Sequence, residues 1–188
     1  MTGGIGHNQG PTLERGQTMR AYQWRRAQKA LMPRTIPLMI VKMRVKRAAE
    51  LGMDYKAYAA IRQATGRDIC GLLFSSNALR IIGGDAAMPR DRAKALEALR
   101  GADRLALVHR PLQPEQIAAA NPMLDATGLA PDITTSWRAM HQRLRAFVTD
   151  RQLVGDQVVI VGDTSLEAEW HAAARAAGYL SAERYFCA

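Results

Sequence analysis

The chain has 188 residues, a formal net charge of +9, and 48% hydrophobic residues of which few are aromatic. That is enough apolar material for one sizeable core or two small ones, while no apolar run reaches the length a bilayer demands, so no membrane partner is expected. The opening MTGGIGHNQG lacks the basic segment and apolar core of a secretory leader, and Cys70 and Cys187 stand far apart, so a cytoplasmic protein with free thiols and no metal or cofactor is expected.

The charge is lopsided. Residues 1–85 carry 14 Lys and Arg against 5 Asp and Glu, a balance of +9, and residues 86–188 carry 12 of each. A polyanion partner for the first half follows, either DNA or RNA, with an anionic membrane surface less favoured. Residues 1–17 are Gly-rich, polar and without periodicity, and are expected to be disordered. His7 reads as a tail residue. The glycines form no phosphate loop, because no strand precedes them and no Gly-Lys-Ser/Thr follows.

Thr18–Met32 reads as a helix. Arg25, Arg26 and Lys29 surround Trp24, which either stacks on a base or, the plainer reading, anchors the helix to a neighbour. Pro33 ends it. Thr35 and Pro37 open the next helix, with Pro in the first turn where its missing N–H does no harm. It runs from Leu38 to Leu51, with Leu38, Val41, Val45 and Ala48 as the buried stripe. Lys42, Arg44, Lys46 and Arg47 make a positive flank suited to sequence-independent phosphate contact.

Arg44–Gly66, RVKRAAELGMDYKAYAAIRQATG, is two helices around a tight turn. Ala48 and Leu51 share a face, Gly52 can adopt the left-handed conformation that ends a helix, Met53 packs under the turn, and Asp54 caps a helix from Tyr55 to Thr65. Tyr58 and Ile61 share its inner face and Gly66 closes it. The stretch resembles the helix-turn-helix of DNA-binding proteins, except that Tyr58 is larger than the residue that pattern prefers. The resemblance implies a recognition helix whose outward face carries Lys56, Ala59, Ala60, Arg62 and Gln63. Of these, Lys56, Arg62 and Gln63 would reach phosphates or base edges. The alternative is an ordinary helix pair with a solvated basic face.

After Gly66, Asp68 is expected to cap a third helix carrying Ile69, Leu72 and Leu73, with a strand at about 78–82. Reading CGLLF as a strand is the alternative, since periodicity does not settle so short a run. Gly83 and Gly84 mark a break. Beyond it the pattern predicts a helix over 89–100, a strand over 103–109, a helix over 114–120, a loop over 121–134, a helix from Thr135 or Ser136 to about Val148, a strand over 157–161, and a helix over 165–177 ended by Gly178. This alternation predicts a small α/β unit with a short parallel sheet. The expected organisation is therefore α/β overall: a tail (1–17), a basic helical, helix-turn-helix-like domain (18–85) and a small α/β domain (86–188).

In VVIVGDTSLEAEWHAAARAAGY, a buried strand ends in Gly-Asp and a capped helix follows, which puts Asp163 at the carboxyl edge of a parallel sheet, where ligands bind. The run resembles the Gly-Asp motif of the haloacid-dehalogenase-like phosphatases, which implies Mg²⁺ held by acidic residues, Glu167 as the second acid and LALVHRP as the second strand. The departure is at LLFSSNALR. Where that family needs a nucleophilic Asp and a second Asp two residues on, this chain has Ser75, Ser76 and Asn77, too few carboxylates for Mg²⁺ and no nucleophile. The alternative for Asp163 is a helix cap or a charge at a helix N-terminus. His109, His141 and His171 are widely spaced and form no metal motif. GGIGHNQGP resembles a short N-terminal tag of phage-like and mobile-element proteins of alphaproteobacteria.

Three functions follow as expectations. The first is non-enzymatic binding of nucleic acid, DNA ahead of RNA, by a transcription-regulator-like helix-turn-helix, with the second half serving dimerisation, partner binding or sensing. The second is a degenerate or active phosphatase-like protein centred on Asp163. The third is a phage-type assembly or adaptor protein.

Overall fold

The computed structural model describes residues 19, 22–27, 36–83 and 85–187, and the chain forms two compact units, 1–40 and 41–188. In the first, residues 22–27 are helical. Trp24, expected to anchor this helix, is 67% exposed. The expected tail with His7, together with Lys29 and Pro33, lies outside the described residues.

The second unit is built on a five-stranded, all-parallel sheet of order β3-β2-β1-β4-β5. After helix α1 (Leu38–Glu50) and helix α2 (Tyr55–Thr65), the chain runs through β1 (Gly71–Ser75), α3 (Arg90–Ala98), β2 (Asp103–Val108), α4 (Pro114–Ala120), β3 (Ala126–Leu129) and α5 (Trp137–Asp150). A 3₁₀ turn (Gly155–Gln157), β4 (Val158–Gly162), α6 (Ser165–Ala174), β5 (Gly178–Ser181) and α7 (Ala182–Phe186) complete it.

β1 (GLLFS) and β4 (VVIVG) are buried at every position, which is why they are unbroken apolar runs: a central parallel strand is covered on both faces. Their side chains alternate between two cores. Leu72, Phe74, Val159 and Val161 pack with Ala48, Leu51, Tyr58, Leu96, Ile117 and Tyr185. Leu73, Val158 and Ile160 pack with Met140, Leu144, Val148 and Trp170. Helices thus cover both faces of the sheet.

The α/β class with a parallel sheet is as expected, but several elements differ. Residues 71–75 form the central strand and 76–80 a turn, in place of the expected helix and later strand. Flanked by β2 and β4, this apolar run has a sheet on both sides to bury it. The expected loop over 121–134 contains β3, a half-buried edge strand. The helix expected to reach residue 177 stops at Ala174, where Arg175 takes the left-handed conformation; Gly178 opens β5 instead. Because β1 is the middle of the sheet and Ala48, Leu51 and Tyr58 share its core, a boundary near residue 85 would run through one packed body. Leu38 and Val45, expected in the buried stripe of α1, are 70% and 46% exposed.

Candidate functional site

Two places gather chemistry. The first is the α1–α2 pair. A Schellman closure ends α1: the Gly52 N–H donates to Ala49 O and the Met53 N–H to Ala48 O at 2.9 Å. Gly52 sits at φ +62, a conformation that favours glycine. The Tyr185 hydroxyl donates to Leu51 O at 2.9 Å. Asp54 then caps α2, accepting from the Lys56 and Ala57 N–H groups. Four residues separate the helices, and Ala57 and Tyr58 turn inward.

The predicted contact residues divide. Lys42, Lys46, Lys56 and Gln63 are exposed, and Arg44 and Arg62 half-buried. Lys46 lies 3.9 Å from Glu50. Arg25 and Arg26 are exposed in the other unit. Arg47 does not belong to the wet flank where it was expected. Its guanidinium donates to Asp68, to Glu50 and to the carbonyls of Ile69, Arg100 and Gly101, so it fastens α1 to the starts of β1 and β2. Asp68 also accepts from the Tyr58 hydroxyl at 2.8 Å. Tyr58, the departure from the helix-turn-helix pattern, is thus large because its hydroxyl has this buried task.

The second place is the carboxyl edge of the sheet, where the strand order reverses between β1 and β4. This is the switch point at which open α/β sheets bind ligands. Fully buried Glu167 lies at its centre. Its Oε1 accepts from Asn77 Nδ2 and from His109 Nε2, both at 2.8 Å. Its Oε2 accepts from the N–H groups of Asp163 and Thr164. In return Thr164 Oγ1 accepts from the Glu167 N–H, a capping box that starts α6. Gly162 makes this approach possible, since a Cβ there would stand 2.8 Å from the Glu167 Cβ.

Burial opposes ionisation of Glu167, but hydrogen bonds from His109, from the Asp163 and Thr164 backbone and from Ser75 outweigh it and bring its pKa down to about 2. The His109 ring lies 5.5 Å from that of Trp170. Ser76 Oγ accepts from the His109 N–H at 3.1 Å, and Ser75 Oγ from the Ala78 N–H at 3.0 Å. Nearby, buried Arg92 lies over the Phe186 ring at 3.7 Å. Burial lowers its pKa, as does Arg80, while Asp91, Cys187 and Asp163 act in the opposite direction.

Asp163 is exposed and stands one residue before the cap, which is Thr164. Both oxygens of Glu167 are engaged, so it offers no free lone-pair face to a cation. The end of β1 supplies Ser75, Ser76 and Asn77 and no carboxylate. Among the described residues no cluster of three His, Cys, Asp or Glu side chains could hold a metal, and no helix is long and apolar enough to cross a membrane. In sequence His109 is isolated, and Asn77 stands where the phosphatase-like motif lacks its acid. Both are among the first polar residues after an apolar strand, and in a parallel sheet that places them together. No protein-family model, curated protein or solved structure matches the chain.

Proposed function

We propose that the chain is a non-enzymatic nucleic-acid-binding protein, duplex DNA ahead of RNA, that grips its partner with the outward faces of α1 and α2. The remainder of the α/β unit serves self-association, partner binding or sensing. The supporting observation is that Lys42, Lys46 and Lys56 stand in solvent on two helices joined by a four-residue, Gly-containing turn. That is the kind of connection helix-turn-helix readers use. Among the described residues, the only carboxylate within 4 Å of these lysines is Glu50, near Lys46. Gln63 and Arg62 extend the α2 face. Mobility shifts of the full chain on a short duplex across a salt series test this. Replacing Lys42, Lys46 and Lys56 together by Ala should reduce the log–log salt slope by about three, about one per lost phosphate contact. Unchanged affinity and slope would reject the reading, and a single-stranded RNA competitor decides between the two nucleic acids.

One observation favours a second reading. The three segments that resemble a haloacid-dehalogenase-like phosphatase lie on adjacent strands, β2, β1 and β4, and their ends meet through Asn77, His109 and Glu167. On this reading the fold is that of a degenerate relative, with Asp163 as the one exposed acid and no nucleophile. Mg²⁺-dependent hydrolysis of p-nitrophenyl phosphate that disappears in Asp163→Asn would instead establish an active enzyme.

A further inference from the structure

The opposite edge of the sheet carries an open cleft of about 530 Å³ between α5, the turn before β4 and the end of α6, within the size range of small-molecule sites. We propose that it binds a small organic oxyanion with a flat apolar body and one hydrogen-bond donor. Leu153 and Val154 give the cleft an apolar wall, while His141, Arg145, Asp156 and Arg175 supply its polar groups.

Part of that polar capacity is unspent. Neither Arg145 nor Arg175 has an ion-pair partner among the described residues, and two guanidinium groups lining one cleft are suited to an oxyanion. Arg175 occupies the C-cap of α6 at φ 50°, where glycine or asparagine would be the unstrained choice. A charged side chain is held at the rim despite that conformation. Asp156 pairs through Oδ2 with Arg67 at 3.1 Å, but its Oδ1 is buried without a partner. A buried acceptor of that kind is uncommon and calls for an N–H or O–H. His141 Nδ1 donates to Ala173 O, so in the neutral ring Nε2 is a second acceptor.

These features together define the ligand. A carboxylate, sulfonate or phosphate meets the arginines, a planar apolar body lies on Leu153 and Val154, and an amine or hydroxyl proton reaches the acceptor nitrogen of His141. The cleft is at the amino end of the strands, away from the edge where α/β proteins gather reactive groups, so the proposal is binding without turnover. It is independent of the nucleic-acid surface on α1 and α2.

The probe is 8-anilinonaphthalene-1-sulfonate, which has a sulfonate, an aromatic body and an anilino N–H, titrated into the full chain by amide-resolved NMR. The expected shifts centre on Leu153, Val154, Gly155 and Asp156. Arg145→Gln with Arg175→Gly should weaken the probe about tenfold or more, as loss of charge-assisted bonds does. The uncharged N-phenyl-1-naphthylamine should change by no more than about twofold, because the apolar wall that binds it is intact. Arg175→Gly removes the strained backbone, so the variant should melt no lower than the parent, which keeps the comparison between folded proteins. Shifts centred elsewhere, such as on the exposed apolar residues of α1, would overturn the proposal. So would an unchanged probe affinity, or equal loss of both dyes.

Discussion

At the carboxyl end of β1 and β4, one buried carboxylate accepts from Asn77, His109 and two backbone N–H groups. At the amino end of β4, Arg145, Arg175 and Asp156 line a cleft; among the described residues the two arginines have no ion-pair partner and Asp156 Oδ1 no hydrogen-bond partner. The two ends have similar residue types and opposite states of satisfaction. A saturated network has no free valence for a ligand and acts as a clamp among the ends of β1, β2 and β4. An unsatisfied set contributes little to folding and is free to recognise something else. If this contrast is right, disturbing the first end should be felt as stability, and charge changes at the second as binding.

The largest effect is expected at Glu167. In Glu167→Ala the Asn77 amide, the His109 ring and the Asp163 and Thr164 N–H groups all lose their acceptor, and the capping box of α6 goes with them. Leaving a buried donor unsatisfied costs about 1–3 kcal/mol, and several donors lose their acceptor together, so urea unfolding should show a loss of about 3–5 kcal/mol. A loss under about 1 kcal/mol, the typical net worth of one ordinary hydrogen bond, would mean that the strand ends are held by packing alone.

Acid should reproduce part of that loss. The folded pKa of Glu167 is about 2, against an ordinary value of 4.5. A depressed carboxylate contributes stability that is complete above the unfolded pKa and declines as pH falls toward the folded one. The contribution is on the order of 3 kcal/mol and should disappear between about pH 4.5 and pH 2. Asp68 and Asp125 are also depressed and remain in both proteins, so the difference between parent and Glu167→Gln isolates the buried site. The variant's stability should fall less over that window; parallel curves would place the acid sensitivity elsewhere.

How much of this was legible in the sequence depends on the signal each part leaves. VVIVG and DRLALV announced strands because an unbroken apolar run between turn residues is what a central parallel strand requires. GLLFS carries the same signal, yet the preceding Asp68 reads locally as a helix cap. Only the structure shows that Asp68 is occupied by Arg47 and Tyr58. β3 (ATGL) has no apolar run, because an edge strand is half-covered and its Gly128 makes room for Phe147. The local pattern suggests Asp163 as the helix cap and Glu167 as a second acid, whereas the structure pairs Glu167 with Thr164 in a capping box; the ties of Glu167 to Asn77, 90 residues away, and to His109, 58 residues away, depend on strand order, which local patterns do not encode. Charge asymmetry was legible, but which cations are free was not. Arg47 and Lys46 are adjacent in sequence, and only one of them turns inward.

The smallest of these effects tests the other end. The Gly155 Cα faces backbone: a Cβ added there would stand 2.4 Å from Ala174 O and 2.6 Å from Arg175 O. Neither is a flexible side chain that can swing aside, and both belong to the last turn of α6. The Ala177 N–H also donates to Gly155 O at 3.1 Å, so the turn before β4 and the exit from α6 are locked together at contact distance. Gly155→Ala must therefore push α6 away from the turn. Overpacking of this kind costs about 1–3 kcal/mol, with the loss read from thermal or urea unfolding. The same shift would move Arg175 relative to Asp156 and weaken binding of the anilinonaphthalene sulfonate at 25 °C, where the protein is still folded. Arg145→Gln changes the cleft's charge without touching the backbone, so it should lose binding and keep stability. If Gly155→Ala instead lost stability while probe affinity stayed at the parental value, the cleft would not depend on the α6 exit, and the division between a clamped end and a recognising end would fail.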